Sequence, residues 1–224
     1  MKDILTAPFL REFCQTASNM YRLGWDERNG GNISMLLDEA ELNEYLDTAS
    51  VLRTIPTGFD TASLRGKCFL VTGTGKYFKN IEADPETNLG ILRIARDGAS
   101  AELLWGLRDG GNPTSEFASH MMTHAVRLQV DPEHRVVTHC HPTHTLAMTF
   151  VHELEDKTFS HSLWQMCSEC IMVFPDGVVC CRGWSAAQMP SARRLLKKCV
   201  TFVSSSGACT AFTAPAERWM RLSG

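Results

Sequence analysis

Long apolar runs are what this sequence lacks first. No stretch approaches the roughly 18 to 20 residues that a membrane-spanning helix needs, so a membrane partner is not expected. The opening residues MKDILTAPFLREFCQ are too charged for a secretory signal, and a cytoplasmic location is the expectation. A disulfide framework is also disfavoured, because nine cysteines are an odd number in a chain of 224 residues, well above the size at which small secreted domains rely on covalent staples. Free thiols are expected instead. The glycine-rich segment GTGK lacks the GxxxxGK[ST] spacing of a nucleotide-binding P-loop, and its GxG lacks the rest of a dinucleotide fingerprint.

Acids are scarce at one end and histidine stops early. Residues 1–177 hold 15 Lys/Arg against 24 Asp/Glu, whereas residues 178–224 hold Arg182, Arg193, Arg194, Lys197, Lys198, Arg218 and Arg221 against the single acid Glu217. No histidine follows His161. The chain changes character near residue 178. Its basic tail has little aromatic interleaving among its Ser, Ala and Cys residues, so no nucleic-acid partner is expected from it.

Before that point the pattern is regular. Apolar residues at helical spacing predict a helix over Leu5 to Leu23, closed by Gly24. Strands are predicted at Ile33–Leu37, Cys68–Thr72, Ile91–Ala95, Ala101–Leu107, Arg135–His139 and Ile171–Phe174. Helices are predicted over Ser115 to Leu128, with Thr114 or Ser115 as cap and Glu116 in the first turn, and over Thr143 to His152. The alternation of strands and helices without repeats predicts a single domain of α/β or α+β class.

Three clusters carry chemistry. In VTHCHPTH the side chains of His139 and His141, two apart on a strand, share a face and can meet one ion, while Cys140 points away. His144 is a poor third ligand, because Pro142 turns the chain and a helix carries it off. Two glycine loops, Arg28-Asn29-Gly30-Gly31-Asn32 and Thr72-Gly73-Thr74-Gly75-Lys76, combine permissive backbone with short polar side chains. With Thr114-Ser115 at a helix start they can hold a phosphomonoester. Glu116 is an acid/base candidate beside that helix start. The CxxC at Cys167 and Cys170 is followed by adjacent Cys180-Cys181 rather than a second CxxC, which argues against a structural zinc site.

In order, GWDERNGGN, VTGTGKYFKN, NLGI, WGL, PTSE, the His-Cys-His strand and CSECIMVFPDG resemble the class II aldolase/epimerase superfamily, and within it the bacterial branch that acts on L-rhamnulose 1-phosphate, from about residue 3 to residue 177. The resemblance implies an α/β domain with a central, mainly antiparallel sheet flanked by helices, a homotetramer, and one zinc per subunit held by His139 and His141. It implies retro-aldol cleavage of a sugar-phosphate substrate to dihydroxyacetone phosphate and L-lactaldehyde. Glu116 takes the acid/base role, and Asn29, Gly31, Asn32, Thr74, Gly75, Thr114 and Ser115 bind substrate and phosphate. Glu169 matches a further carboxylate near the metal. No lysine Schiff base is required.

The same resemblance places a third histidine ligand about 70 residues beyond the pair, in a segment like VVWGVHG, and none is present. Reading the tail one base out of register supplies it. Val179 to Ser185 can be encoded as GTG TGC TGC CGT GGA TGG TCC, which regroups to Val-Leu-Pro-Trp-Met-Val. Ser206 to Thr210 regroups to Trp-Gly-Val-His-Gly, with the histidine codon straddling Cys209 and Thr210. We therefore expect residues 1–177 to form an aldolase-like domain and residues 178–224 to be an out-of-frame tail, impairing folding beyond residue 178 and activity.

Overall fold

A computed structural model describes residues 1–173, 175–181 and 202–204. Helix α1 (Pro8–Arg22) leads into β1 (Asn32–Leu36), the short α2 (Glu39–Leu42), β2 (Arg53–Pro56) and β3 (Cys68–Thr72). Short helices α3 (Phe78–Ile81) and α4 (Pro85–Asn88) precede the hairpin β4 (Leu89–Ile94) and β5 (Ser100–Gly106). Then come α5 (Phe117–Val130), β6 (Val136–His139), α6 (Thr143–Val151), α7 (Asp156–Met166), α8 (Glu169–Val173), β7 (Val179–Cys181) and β8 (Phe202–Ser204).

The six strands β1 to β6 form one antiparallel sheet in the order β2-β5-β4-β3-β1-β6. The central antiparallel sheet that the family resemblance implies is present. Its centre is covered on both faces. Leu70 and Cys68 of β3 join Phe9, Leu10, Phe13 and Ala17 of α1 in one core cluster, while Phe69 and Val71 join Phe117 and Met121 of α5 in the other. Alternate residues of one strand thus feed two cores, which is why β3 reads as an unbroken apolar run. A register shift between Ile91 and Leu92 bends the β4–β5 pair.

Three expectations need correction. The segment predicted as a strand from Ile171 is part of helix α8, with Phe174 outside the described residues. A short apolar run does not by itself separate strand from helix, and Glu169 in the first turn favours the helix. Helix α5 begins at Phe117, so Glu116 is its N-cap rather than a first-turn residue. The N-terminal helix begins at Pro8, because residues 4–6 form a 3-10 turn capped by Asp3.

Cys14, Cys68, Cys167 and Cys170 are free thiols. Among the described residues no helix is long and apolar enough to cross a membrane. Of the tail, β7 and β8 pair in parallel, and Val178 packs in a small cluster with Phe159 of α7.

Candidate metal centre and active site

Strand directions bring the site together. Strand β1 starts at Asn32 and runs antiparallel to β3 and β6, so its beginning lies level with their ends, and Asn32 pairs with His139. The loop entering β1 and the loops leaving β3 and β6 therefore meet at one end of the sheet. The β3 loop is fastened to the approach to α5: Thr74 N–H donates to Asn112 C=O at 2.8 Å and Thr114 N–H to Thr72 C=O at 2.9 Å. The β1 loop is fastened to the histidines, with His141 N–H donating to Trp25 C=O at 2.6 Å.

The two imidazoles face one another, His139 Nε2 lying 2.9 Å from His141 Nε2. Each ring has a carboxylate on its other nitrogen. Glu116 Oε2 lies 2.5 Å from His139 Nδ1, and Glu27 Oε1 lies 2.6 Å from His141 Nδ1. A carboxylate accepts, so each Nδ1 carries the proton and each Nε2 of a neutral ring presents a lone pair to its neighbour. Burial works against ionisation of Glu116, but its hydrogen bonds, from His139 first and also from Asn32, outweigh it and hold the carboxyl below the ordinary glutamate range. Glu27 is also held low: a burial penalty is outweighed by backbone hydrogen bonding and His141.

Two lone pairs aimed at each other repel unless a proton or a cation lies between them. Tetrahedral zinc, with Zn–N distances of about 2.0–2.1 Å, separates two ligand nitrogens by about 3.3 Å, which a small ring movement supplies. Carboxylates behind metal-ligating histidines fix the tautomer and raise ligand basicity. The donor set thus fits two of the protein positions of a zinc ion. Among the described residues, no group of three His, Cys, Asp or Glu side chains converges on one point. Cys209 and Thr210, where the alternate reading places the third histidine, lie outside the described residues.

The other expected site residues divide by environment. Thr74, Gly75 and Ser115 are exposed on the fastened loops, and Asn29 is exposed on the β1 loop. Gly75 has φ of 69°, a left-handed conformation that favours glycine. Gly31 is buried, and a Cβ there would lie 2.9 Å from the Phe78 ring. Its glycine serves a close approach of the loop to α3. Thr114 is buried, with its hydroxyl accepting from Glu116 N–H at 3.3 Å. Asn32 is buried, its Oδ1 engaged by His120 Nε2 and its side chain bonded to Glu116. Glu169 is exposed at the start of α8. His144 is exposed on α6.

Sequence reading missed Glu27, Ser34, His120 and His124. Ser34 Oγ lies 2.7 Å from His120 Nδ1 and 2.9 Å from His124 Nε2. The available signal was periodicity: Asn32 and Ser34 share a strand face, and His120 and His124 share a helix face at i, i+4.

A sequence profile described as "Class II Aldolase and Adducin N-terminal domain" matches residues 11–201. Among curated proteins, the chain is 61% identical over 177 residues to "Rhamnulose-1-phosphate aldolase" of Listeria innocua, covering 79% of this chain and 65% of that protein. It is 57% identical over 176 residues to the protein of the same name from Enterococcus faecalis, covering 79% of this chain and 63% of that one. The chain therefore spans just under two thirds of the length of these relatives. Among solved structures, a sugar-phosphate aldolase from Thermotoga maritima superposes with a TM-score of 0.76 at 24% identity, over 95% of this chain and 88% of that one. That likeness establishes the fold.

Proposed function

The chain belongs to the class II aldolase and adducin N-terminal domain family, and from that premise we propose that it derives from, and carries most of the active site of, a zinc-dependent aldolase cleaving L-rhamnulose 1-phosphate to dihydroxyacetone phosphate and L-lactaldehyde. The facing Nε2 atoms of His139 and His141, each backed by a carboxylate, carry this reading. The name shared by relatives at 61% and 57% identity supports the choice of substrate.

His139 and His141 would hold the zinc, which supplies Lewis-acid polarisation of the ketose carbonyl. Asn29, Thr74, Gly75 and Ser115, on the converging loops, would bind the phosphate and so turn remote binding energy into orientation at the reacting carbons. Cleavage removes the proton of the C4 hydroxyl as the C3–C4 bond breaks and leaves an electron pair on C3 that must gain one, so the balance closes on an ionised carboxylate that accepts a proton and then delivers it to C3. Glu116, half-buried at the N-terminus of α5 beside His139, takes that role. It exchanges its contact with His139 Nδ1 for the substrate during transfer. Glu169 would approach the metal as a further carboxylate, Asn32 and Thr114 would support the phosphate loops, and Gly31 keeps the first loop close. A homotetramer and a cytoplasmic location complete the proposal.

Residues 178–224 contain no histidine, and a zinc centre of this kind usually takes three protein ligands. We therefore propose that this chain turns over slowly, as a form whose tail is out of frame from near residue 178. The test is coupled detection of dihydroxyacetone phosphate from L-rhamnulose 1-phosphate and, separately, L-fuculose 1-phosphate. This chain is compared with a version carrying the alternate-frame segment. Zinc-dependent release from the rhamnulose ester by the restored version, and near-background release by this chain, is the expected result. Equal inactivity of both toward either ester contradicts it.

A further inference from the structure

Beneath the facing histidines lies a run of buried polar groups that the chemistry above does not use. Ser34, His120 and His124 occupy the interface between β1 and α5, where Ser34 and His124 are fully buried and His120 nearly so. His124 leans on the Phe69 ring at 4.8 Å between centroids. A serine and two histidines in such a place cost desolvation unless their hydrogen bonds are made. All but that of His124 Nδ1 are made, in one unbroken line that ends at Glu116.

The direction of that line follows from its end. The Asn32 side chain bonds Glu116 and presents its Oδ1 to His120 Nε2, and an amide oxygen only accepts. His120 Nε2 must then donate. Burial pushes the His120 pKa down to about 3, so the ring is neutral and its Nδ1 is a bare acceptor. Ser34 O–H donates to that nitrogen at 2.7 Å. The Ser34 oxygen is left to accept from His124 Nε2–H at 2.9 Å. His124 Nδ1, the far end, is a lone pair, and it has no hydrogen-bond partner among the described residues. Every link has one polarity, and reversing it at any point sets two acceptors or two donors against each other.

We infer that His124, Ser34, His120 and Asn32 form a directional hydrogen-bond relay that holds Glu116 as an acceptor for His139 Nδ1–H, and so keeps the His139 Nε2 lone pair aimed at the cation position. This rests on the metal-centre reading given above. The relay members are positioning residues, and Glu116 transmits their effect to His139. No proton has to move along the line for it to act. Its function is to choose one of two tautomers in a ring that borders the buried interior.

The relay also explains a choice of residue types. Asn32 and Ser34 lie on the face of β1 turned toward α5, whereas Ile33 and Met35, on the other face, sit in the core cluster of α1. Apolar residues at 32 and 34 would extend the second core cluster toward β6 without the cost of burying polar atoms. Instead the strand spends that face on hydrogen bonds.

The test has two parts, both on the full chain. The first labels histidine with 15N and records long-range 1H–15N correlations, assigned by single substitutions. His120 and His124 should both be Nε2–H tautomers and His139 the Nδ1–H tautomer; an Nδ1–H signal for His120 overturns the relay. This readout does not require metal or turnover. The second measures Co2+ and Zn2+ affinity by competition with a chelator. His120→Phe, which fills the space but cannot donate to Asn32, should weaken binding about tenfold, the lower end of the range for groups supporting a ligand. His120→Gln, whose amide can donate to Asn32, should restore most of it. His124→Phe leaves Ser34 able to donate to His120 and should cost less than His120→Phe. A merely structural role would lower thermal stability in all three with affinity unchanged, and that pattern overturns the inference. If the unsubstituted chain binds neither metal, the metal-centre reading fails, while the tautomer spectrum still decides the relay.

Discussion

His139 and His141 turn their Nε2 atoms toward one another at 2.9 Å, and Glu116 and Glu27 occupy the Nδ1 atoms behind them. The pairing is symmetric in chemistry but not in setting. Glu116 is half-buried at a helix start, whereas Glu27 is exposed on a loop. Their removal should have different consequences.

Glu27→Gln removes the charge behind His141 without disturbing a packed core. We expect zinc affinity to fall about 10- to 100-fold with the melting temperature nearly unchanged. Competition with a chelator and a thermal melt of the same sample check both halves of the statement.

Acid sensitivity should follow from the relay. His120 and His124 are held neutral, with burial pushing both down to about 3, against about 6.5 in an unfolded chain. Between those values the unfolded chain binds more protons than the folded one. Stability is therefore fully present above about pH 6.5 and is lost as pH falls toward the folded values. Urea midpoints measured from pH 7 to pH 4.5 should drop steadily, and His124→Gln should flatten the slope by about one proton.

Asp26 should behave in the opposite sense. Burial of a carboxyl whose oxygens have no hydrogen-bond partner among the described residues pushes it up to about 6, against about 3.9 when unfolded. The folded chain here binds the extra proton, so stability falls as pH rises from about 4 to about 6. Asp26→Asn should raise stability by about 1–2 kcal/mol at pH 7 and by little at pH 4. Chemical denaturation at the two pH values decides it.

Gly31→Ala places a methyl group 2.9 Å from the Phe78 ring and 3.0 Å from Asp26 Cβ. Overpacking of this kind costs about 1–3 kcal/mol. The loop carrying Glu27 should shift with it, so zinc affinity and stability should fall together.

What the sequence made legible was local. Alternation on β1, the unbroken run of β3 and the i, i+2 spacing of His139 and His141 all depend on neighbours in the chain. The carboxylate behind His141 was not legible, because Glu27 lies 114 residues away and nothing local marks it as a partner. The relay escaped for the same reason: Ser34 meets His120 and His124 across separations of 86 and 90 residues. Periodicity gives the face a residue occupies, not the face it meets. Strand β2 and helices α2 and α3, only four residues each, are too short for a periodic signal. The segment at 171–173 was misread because a short apolar run fits either period.

The most direct test is an equilibrium zinc titration of the chain beside its His139→Ala and His141→Ala substitutions. We predict saturable binding of one zinc per chain, weaker than a three-ligand centre, and its loss in both variants. Unchanged stoichiometry and affinity in either variant would contradict the assignment of the facing imidazoles as the metal position.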